Sequence, residues 1–138
     1  MSVTITDNSI QVKRTKDQLV EKALESIGIL AENYAKKIIT EEGRVDTGMM
    51  RNSIAHTVKD ETAYIGSNLE YSVFHEIGTG IHLDPEFGTG RQTPWFYTDR
   101  NGEGHITHGM KGIHFLKRSV EEHTKEYERL TEQTLKGR

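Results

Sequence analysis

From Val20 to Ile38 the apolar residues recur at three- and four-residue steps: Val20, Ala23, Leu24, Ile27, Ala31, Tyr34, Ala35 and Ile38. That spacing places them on one stripe of an α-helix. The pattern opens at Thr15-Lys16-Asp17-Gln18, a hydroxyl followed three residues later by Gln, which is the arrangement of a capping box. It runs to about Glu42, where Gly43 is a natural stop. A helix with a single apolar stripe gains most of its stability from whatever covers that stripe, and a sheet is the simplest cover.

Strand patterns flank this helix. Val3-Thr4-Ile5-Thr6 and Ile10-Gln11-Val12 alternate apolar and polar around Asp7-Asn8, which predicts a short hairpin or edge strand. Ser53 to Lys59 and Thr62 to Gly66 read as two strands joined at Asp60-Glu61. Ser67-Asn68-Leu69-Glu70 is a second capping-box pattern, predicting a short helix that carries Tyr71, Phe74 and Ile77 and ends at Gly78. From Phe115 a second long helix is expected, with Leu116, Val120, His123, Tyr127, Leu130 and Thr134 on one face.

Between them, Gly78 to Ile113 holds both prolines, the one tryptophan and eight of the thirteen glycines. A loop of that length in a small domain is usually functional or disordered, and its aromatic content argues against plain disorder. Inside it, Pro94-Trp95-Phe96-Tyr97 reads as a strand, Asn101-Gly102 as a hairpin turn and His105-Ile106-Thr107-His108 as the return strand. Alternation along the strand sends Phe96 toward a core and leaves Trp95 and Tyr97 outward. Phe87, Trp95, Phe96, Tyr97 and Met110 are the expected contact residues of this arm, because exposed aromatic side chains on a hairpin suit protein contacts. The expected fold is α+β, a small antiparallel sheet packed by two long helices (about 15–42 and 115–135). The Gly/Pro-rich loop or hairpin arm spans 78–113, and the whole is one domain over 1–138.

Composition narrows the function. Only 33% of the 138 residues are hydrophobic and mean hydropathy is -0.67, so either the loops are long or part of the surface awaits a partner. The formal charge of -3 lacks the basic surplus that a dedicated nucleic-acid binder uses against phosphates. The absence of cysteine removes any disulfide framework or thiolate metal site and suits a reducing cytoplasm. Met1 to Asn8 has neither a basic nor an apolar signal-peptide region, and no apolar run approaches the roughly 20 residues of a membrane helix.

Three motifs invite catalytic readings. Asp46-Thr47-Gly48 spells the aspartic-protease triplet, but those enzymes bring two copies together on apolar strands. Here one copy follows the polar end of a helix, and a turn with Asp46 capping backbone N–H groups is the simpler reading. His75, Glu76, His82, His105 and His108 are the residues a metal-dependent hydrolase would use. The gap of seven between His75 and His82 does not match the helical spacing of a zinc protease, and His114 completes five histidines within 40 residues. Gly78-x-Gly80 and Gly88-x-Gly90 lack the Lys and Ser/Thr that complete a phosphate loop. The expectation is no catalytic residue, no cofactor and no metal, with the histidine-based hydrolase as the alternative.

The motifs together resemble a known family. Val45-Asp46-Thr47-Gly48-Met49-Met50-Arg51-Asn52-Ser53-Ile54 follows the long helix, then come Ala63-Tyr64-Ile65-Gly66-Ser67 and Glu70-Tyr71-Ser72-Val73-Phe74-His75-Glu76-Ile77-Gly78-Thr79-Gly80. Thr93-Pro94-Trp95-Phe96-Tyr97, Thr107-x-Gly109-Met110 and His114-Phe115-Leu116 complete the order. This arrangement, over about Thr15 to Val120, resembles the tail-component family of HK-type tailed bacteriophages, also called tail-completion, neck or head–tail connector proteins. The chain departs from the family at Gly112-Ile113-His114, where a proline is common, and at Ile81 to Gln92, which is not distinctive. The resemblance implies a non-enzymatic virion part made in the bacterial cytoplasm. Copies would assemble as a ring, expected to be a hexamer, at the head–tail interface beside other neck, connector or tail proteins. DNA would pass through without sequence-specific binding, and no membrane would be involved. It marks Asp46, Thr47, Gly48, Tyr71, Glu76, Gly78, Thr79 and Gly80 as signature positions.

Overall fold

The computed structural model describes residues 2–6 and 14–136, with side chains from 17 onward. It is α+β, and the chain divides into two compact units, residues 1–69 with 115–138 and residues 70–114. Where the sequence reads as one domain carrying an arm, the arm lies inside the second unit.

The first unit is built on a three-stranded antiparallel sheet of order β1-β3-β2, comprising β1 (Ser2–Thr6), β2 (Ile54–Lys59) and β3 (Thr62–Ser67). Helix α1 (Arg14–Glu41) packs on this sheet, and its buried face is the stripe expected from the sequence, except that Tyr34 is half-buried and Ile39 is added at 0% exposure. The helix starts at Arg14, so Thr15 lies within its first turn; the proposed cap side chain and the strand pattern at Ile10–Val12 fall outside the described side chains and residues. The C-terminus closes as a Schellman motif: Gly43 N–H donates to Thr40 O (3.1 Å), Arg44 N–H donates to Ile39 O (3.0 Å), and Gly43 sits at φ 69°.

After the bend at Asp46–Gly48 comes α2 (Met49–Ser53), a short helix absent from the sequence reading. Gly48 supplies φ 85°, and the Thr47 hydroxyl accepts from Met49 N–H at 3.2 Å, so the Asp46-Thr47-Gly48 triplet forms an exposed helix-opening turn. β2 and β3 pair from Ile54↔Ser67 to Lys59↔Thr62 across the two-residue turn Asp60-Glu61. β1 pairs with β3 on its other side, which sets Val3 and Ile5 opposite Ile65 and Ala63. Val20 and Leu24 of α1 meet Ala63 in the core, with Val58 and Leu135 against them.

One polar contact ties α1 to β2. The His56 ring lies over Gly28, where an added Cβ would sit 2.5 Å from the imidazole Cδ2. Its Nδ1 is 2.7 Å from Glu32 and its Nε2 is 2.5 Å from Glu25, and Glu32 also pairs with Lys36 at 3.0 Å. Burial pulls the His56 pKa down, but the hydrogen bonds to Glu32 and Glu25 outweigh it and hold the imidazole above its ordinary value. Burial likewise raises Glu32, and the hydrogen bonds from His56 and Lys36 overcome that and hold it below the usual carboxylate value.

The expected second long helix is two helices, α4 (Phe115–Glu121) and α5 (Thr124–Leu135). The break falls at His123, whose φ of −127° is not helical. Its ring stacks flat on Tyr34, with centroids 3.4 Å apart. The interruption leaves the Ser119 carbonyl without its helical donor, and the buried Tyr127 hydroxyl donates to it instead. The Tyr34 hydroxyl donates to Glu126, which also anchors α5 on α1.

The sheet face turned away from α1 is uncovered among the described residues. Ala55, Thr57 and Tyr64 are exposed, and with Asn52, Ser53, Gly66 and Asn68 they line a shallow depression of ≈ 700 Å³. No helix among the described residues is long and apolar enough to cross a membrane.

Candidate assembly surface

The second unit, Glu70–His114, is held together mainly by its backbone. Helix α3 (Ser72–Ile77) is followed by two single 3₁₀ turns, Gly80–His82 and Pro85–Phe87, and by the hairpin β4 (Trp95–Thr98) and β5 (Gly104–Thr107). The Ser67 pattern does not cap α3: its hydroxyl accepts from Leu69 N–H at 3.1 Å and pairs with Ser53, and the helix begins only at Ser72. Gly78 does end the helix as expected, at φ 86°.

Residues 75–81 then run beside 108–114. Thr79 N–H donates to Met110 O (2.8 Å), Ile81 N–H to His108 O (3.0 Å), Ile113 N–H to His75 O (2.8 Å) and His114 N–H to Glu76 O (3.0 Å). The Thr79 hydroxyl accepts from Met110 N–H at 2.8 Å. Where the two segments cross, Gly80 and Gly109 touch backbone to backbone: a Cβ on Gly80 would lie 2.1 Å from His108 O, and one on Gly109 would lie 2.1 Å from Thr79 O. Both have positive φ, 60° and 128°. The Gly78-Thr79-Gly80 signature is therefore a crossing point, and no phosphate cradle is needed to explain its glycines.

Ile113 is the one buried apolar side chain of this unit; its other buried side chains are Ser72 and Glu76. Glu76 is 1% exposed and lies 3.8 Å from His114 Nδ1, while His114 Nε2 is 3.4 Å from Asp84. Tyr71 is exposed and meets the His75 ring edge-on at 6.3 Å.

Apolar side chains that would form a core are instead on the outside. Of the eleven large hydrophobic side chains exposed among the described residues, seven belong to this unit: Tyr71, Phe74, Ile81, Phe87, Phe96, Tyr97 and Ile106. Trp95 and Met110 are half-buried. The most prominent pair is Phe96, 68% exposed, and Ile106, 75% exposed, directly opposite each other in the β4–β5 register. The expectation that Phe96 enters a core is wrong: two short strands have two faces, and the other face takes the packing. There Arg91 lies over the Trp95 ring at 5.4 Å, and Tyr97 stacks on His105 at 5.1 Å. Ile106 and Gly104 were missed in the sequence. Gly104 leaves the space into which the Phe96 ring leans, since a Cβ there would be 2.6 Å from it. Register-matching Phe96 against Ile106 was the available signal.

The hairpin tip is closed by Asp99. One carboxylate oxygen accepts from Asn101 N–H (2.9 Å) and Glu103 N–H (3.0 Å); the other is 2.7 Å from His105 Nε2. The His105 hydrogen bond, with help from these backbone donors, holds Asp99 below the usual carboxylate value. Asp99, Glu103 and His105 are the one group of three among the described residues whose ligand atoms lie within 4.8 Å of one another. His75, Glu76, His82 and His108 are not in it, so the five residues named for a hydrolase are not gathered into one centre.

Six carboxylates and three cationic side chains fall within residues 70–114, so the whole formal charge of -3 resides in this unit and the first unit balances to zero. Comparison with protein-family models, with curated proteins and with solved structures gave no match.

Proposed function

We propose that the chain is a structural virion protein of a tailed bacteriophage, joining copies of itself into a ring at the head–tail joint through the 70–114 unit. The observation that carries this reading is the inversion of that unit: a fold closed by backbone hydrogen bonds and glycine crossings, with one buried apolar side chain and seven large exposed ones. Exposed aromatic and aliphatic side chains at this density serve protein contacts. The order of motifs shared with the tail-component family supplies the biological setting, including neighbouring neck, connector or tail proteins.

A ring with a sixfold axis has two different faces, so one can meet the head side and the other the tail side of a coaxial joint. The excess of carboxylates suits a passage through which DNA moves without being held. This function requires no catalytic group, cofactor or metal. The hydrolase alternative draws no support from the placement of its histidines. Negative-stain imaging of the concentrated protein tests the proposal: closed rings with a central opening are expected, and monomers or open filaments at every concentration would contradict it.

A further inference from the structure

We propose that the contact between neighbouring copies seats the Phe96–Ile106 face of one hairpin in the open outer face of the β2–β3 sheet of the next copy. This inference rests on the ring reading and names its joint.

Both surfaces are uncovered among the described residues. Phe96 and Ile106 are 68% and 75% exposed, and Ala55, Thr57 and Tyr64 on the sheet are exposed as well. Their shapes match in kind, since the hairpin raises two adjacent apolar side chains and the sheet offers a depression of ≈ 700 Å³ floored by small residues. Tyr64 is the one ring in that floor and gives Phe96 an aromatic partner.

Charge selects this pairing over hairpin against hairpin. Among the described residues no Asp, Glu, Lys or Arg lines the depression, so seating two hydrocarbon side chains there strips water from none of their ions. Two hairpins meeting across a twofold axis would set two units of charge -3 against each other, whereas hairpin on sheet sets one against a unit whose charges balance. A patch and its receptor at different places on one chain make a head-to-tail contact, which forms a ring when the rotation closes.

The chain contains no cysteine, so single cysteines report proximity directly. Thr57→Cys and Ile106→Cys, both at exposed positions, are made separately, with Ala55→Cys as a second position on the sheet face. Equal amounts are mixed at high concentration under mild oxidation. The expected result is a mixed disulfide between the Ile106→Cys chain and either sheet variant, several-fold above either homodimer. If the protein assembles by light scattering but gives no mixed disulfide at either sheet position, this joint is wrong while the ring reading survives. If neither assembly nor mixed disulfide occurs at any concentration, both are overturned.

Discussion

A neutral imidazole has one N–H, yet both ring nitrogens of His56 face carboxylates, Glu25 at 2.5 Å and Glu32 at 2.7 Å. Only the imidazolium can donate to both, which is the chemical reason its pKa is raised. A raised folded value contributes stability that is complete below the ordinary His pKa of about 6.5 and is lost as pH climbs through the folded value. Glu32, held low, contributes above its ordinary value and loses its contribution as pH falls through the lowered one. The bracket is therefore strongest between those two limits. Urea midpoints of the native protein should fall as pH rises past neutrality. His56→Gln should cost about 2 kcal/mol at pH 6 and remove that part of the slope; an unchanged slope in the variant would show that His56 is not its source. None of this was legible in the sequence. Glu25, Gly28 and Glu32 share one side of a helix by spacing, but nothing local says that a histidine 24 residues after Glu32 will lie across them.

At the level of elements, legibility followed period and punctuation. The stripe of α1, its Gly43 stop, the β2–β3 pair and the β4–β5 hairpin are repeated local patterns, and each formed where the pattern placed it. What failed depended on contacts that the local patterns do not encode. The expected helix over 115–135 breaks because His123 stacks on Tyr34 and Tyr127 satisfies the freed Ser119 carbonyl. The Ser67 pattern fails as a cap because that hydroxyl serves Leu69 and Ser53. The β2–β3 turn carries its own cost: Asp60 and Glu61 both have positive φ, 52° and 56°, as a two-residue hairpin turn of the left-handed type requires. Glycine adopts that conformation without a Cβ penalty of about 1–2 kcal/mol. Glu61→Gly should therefore stabilise the protein by about 1 kcal/mol, seen as a higher urea midpoint with an unchanged slope; a lower midpoint would mean that the Glu61 side chain contributes more than its backbone costs.

The whole molecule separates stability from apolar display. The first unit buries the helix stripes against a small sheet. The second dispenses with an apolar core and shows its hydrophobic side chains outside. The low hydrophobic content and the aromatic, glycine-rich stretch pointed to such a display from sequence alone. The stretch is ordered within the chain itself, because the 75–81 and 108–114 segments hold each other. The facing of the hairpin side chains differs from the expected one, since facing within a two-stranded hairpin depends on which side the rest of the unit covers. Tyr97 is exposed as expected and Trp95 is half-buried, whereas Phe96, expected inside, forms the exposed pair with Ile106. Because that pair makes no core, removing it should leave the fold intact and abolish association. The most direct measurement is solution mass by light scattering across a concentration series, on the native chain and on a variant in which Phe96 and Ile106 are both replaced by Asp. The native protein should reach a defined ring mass while the variant stays monomeric with unchanged circular dichroism. A variant that assembles like the native chain, or a native chain that stays monomeric throughout, would contradict self-assembly through the second unit.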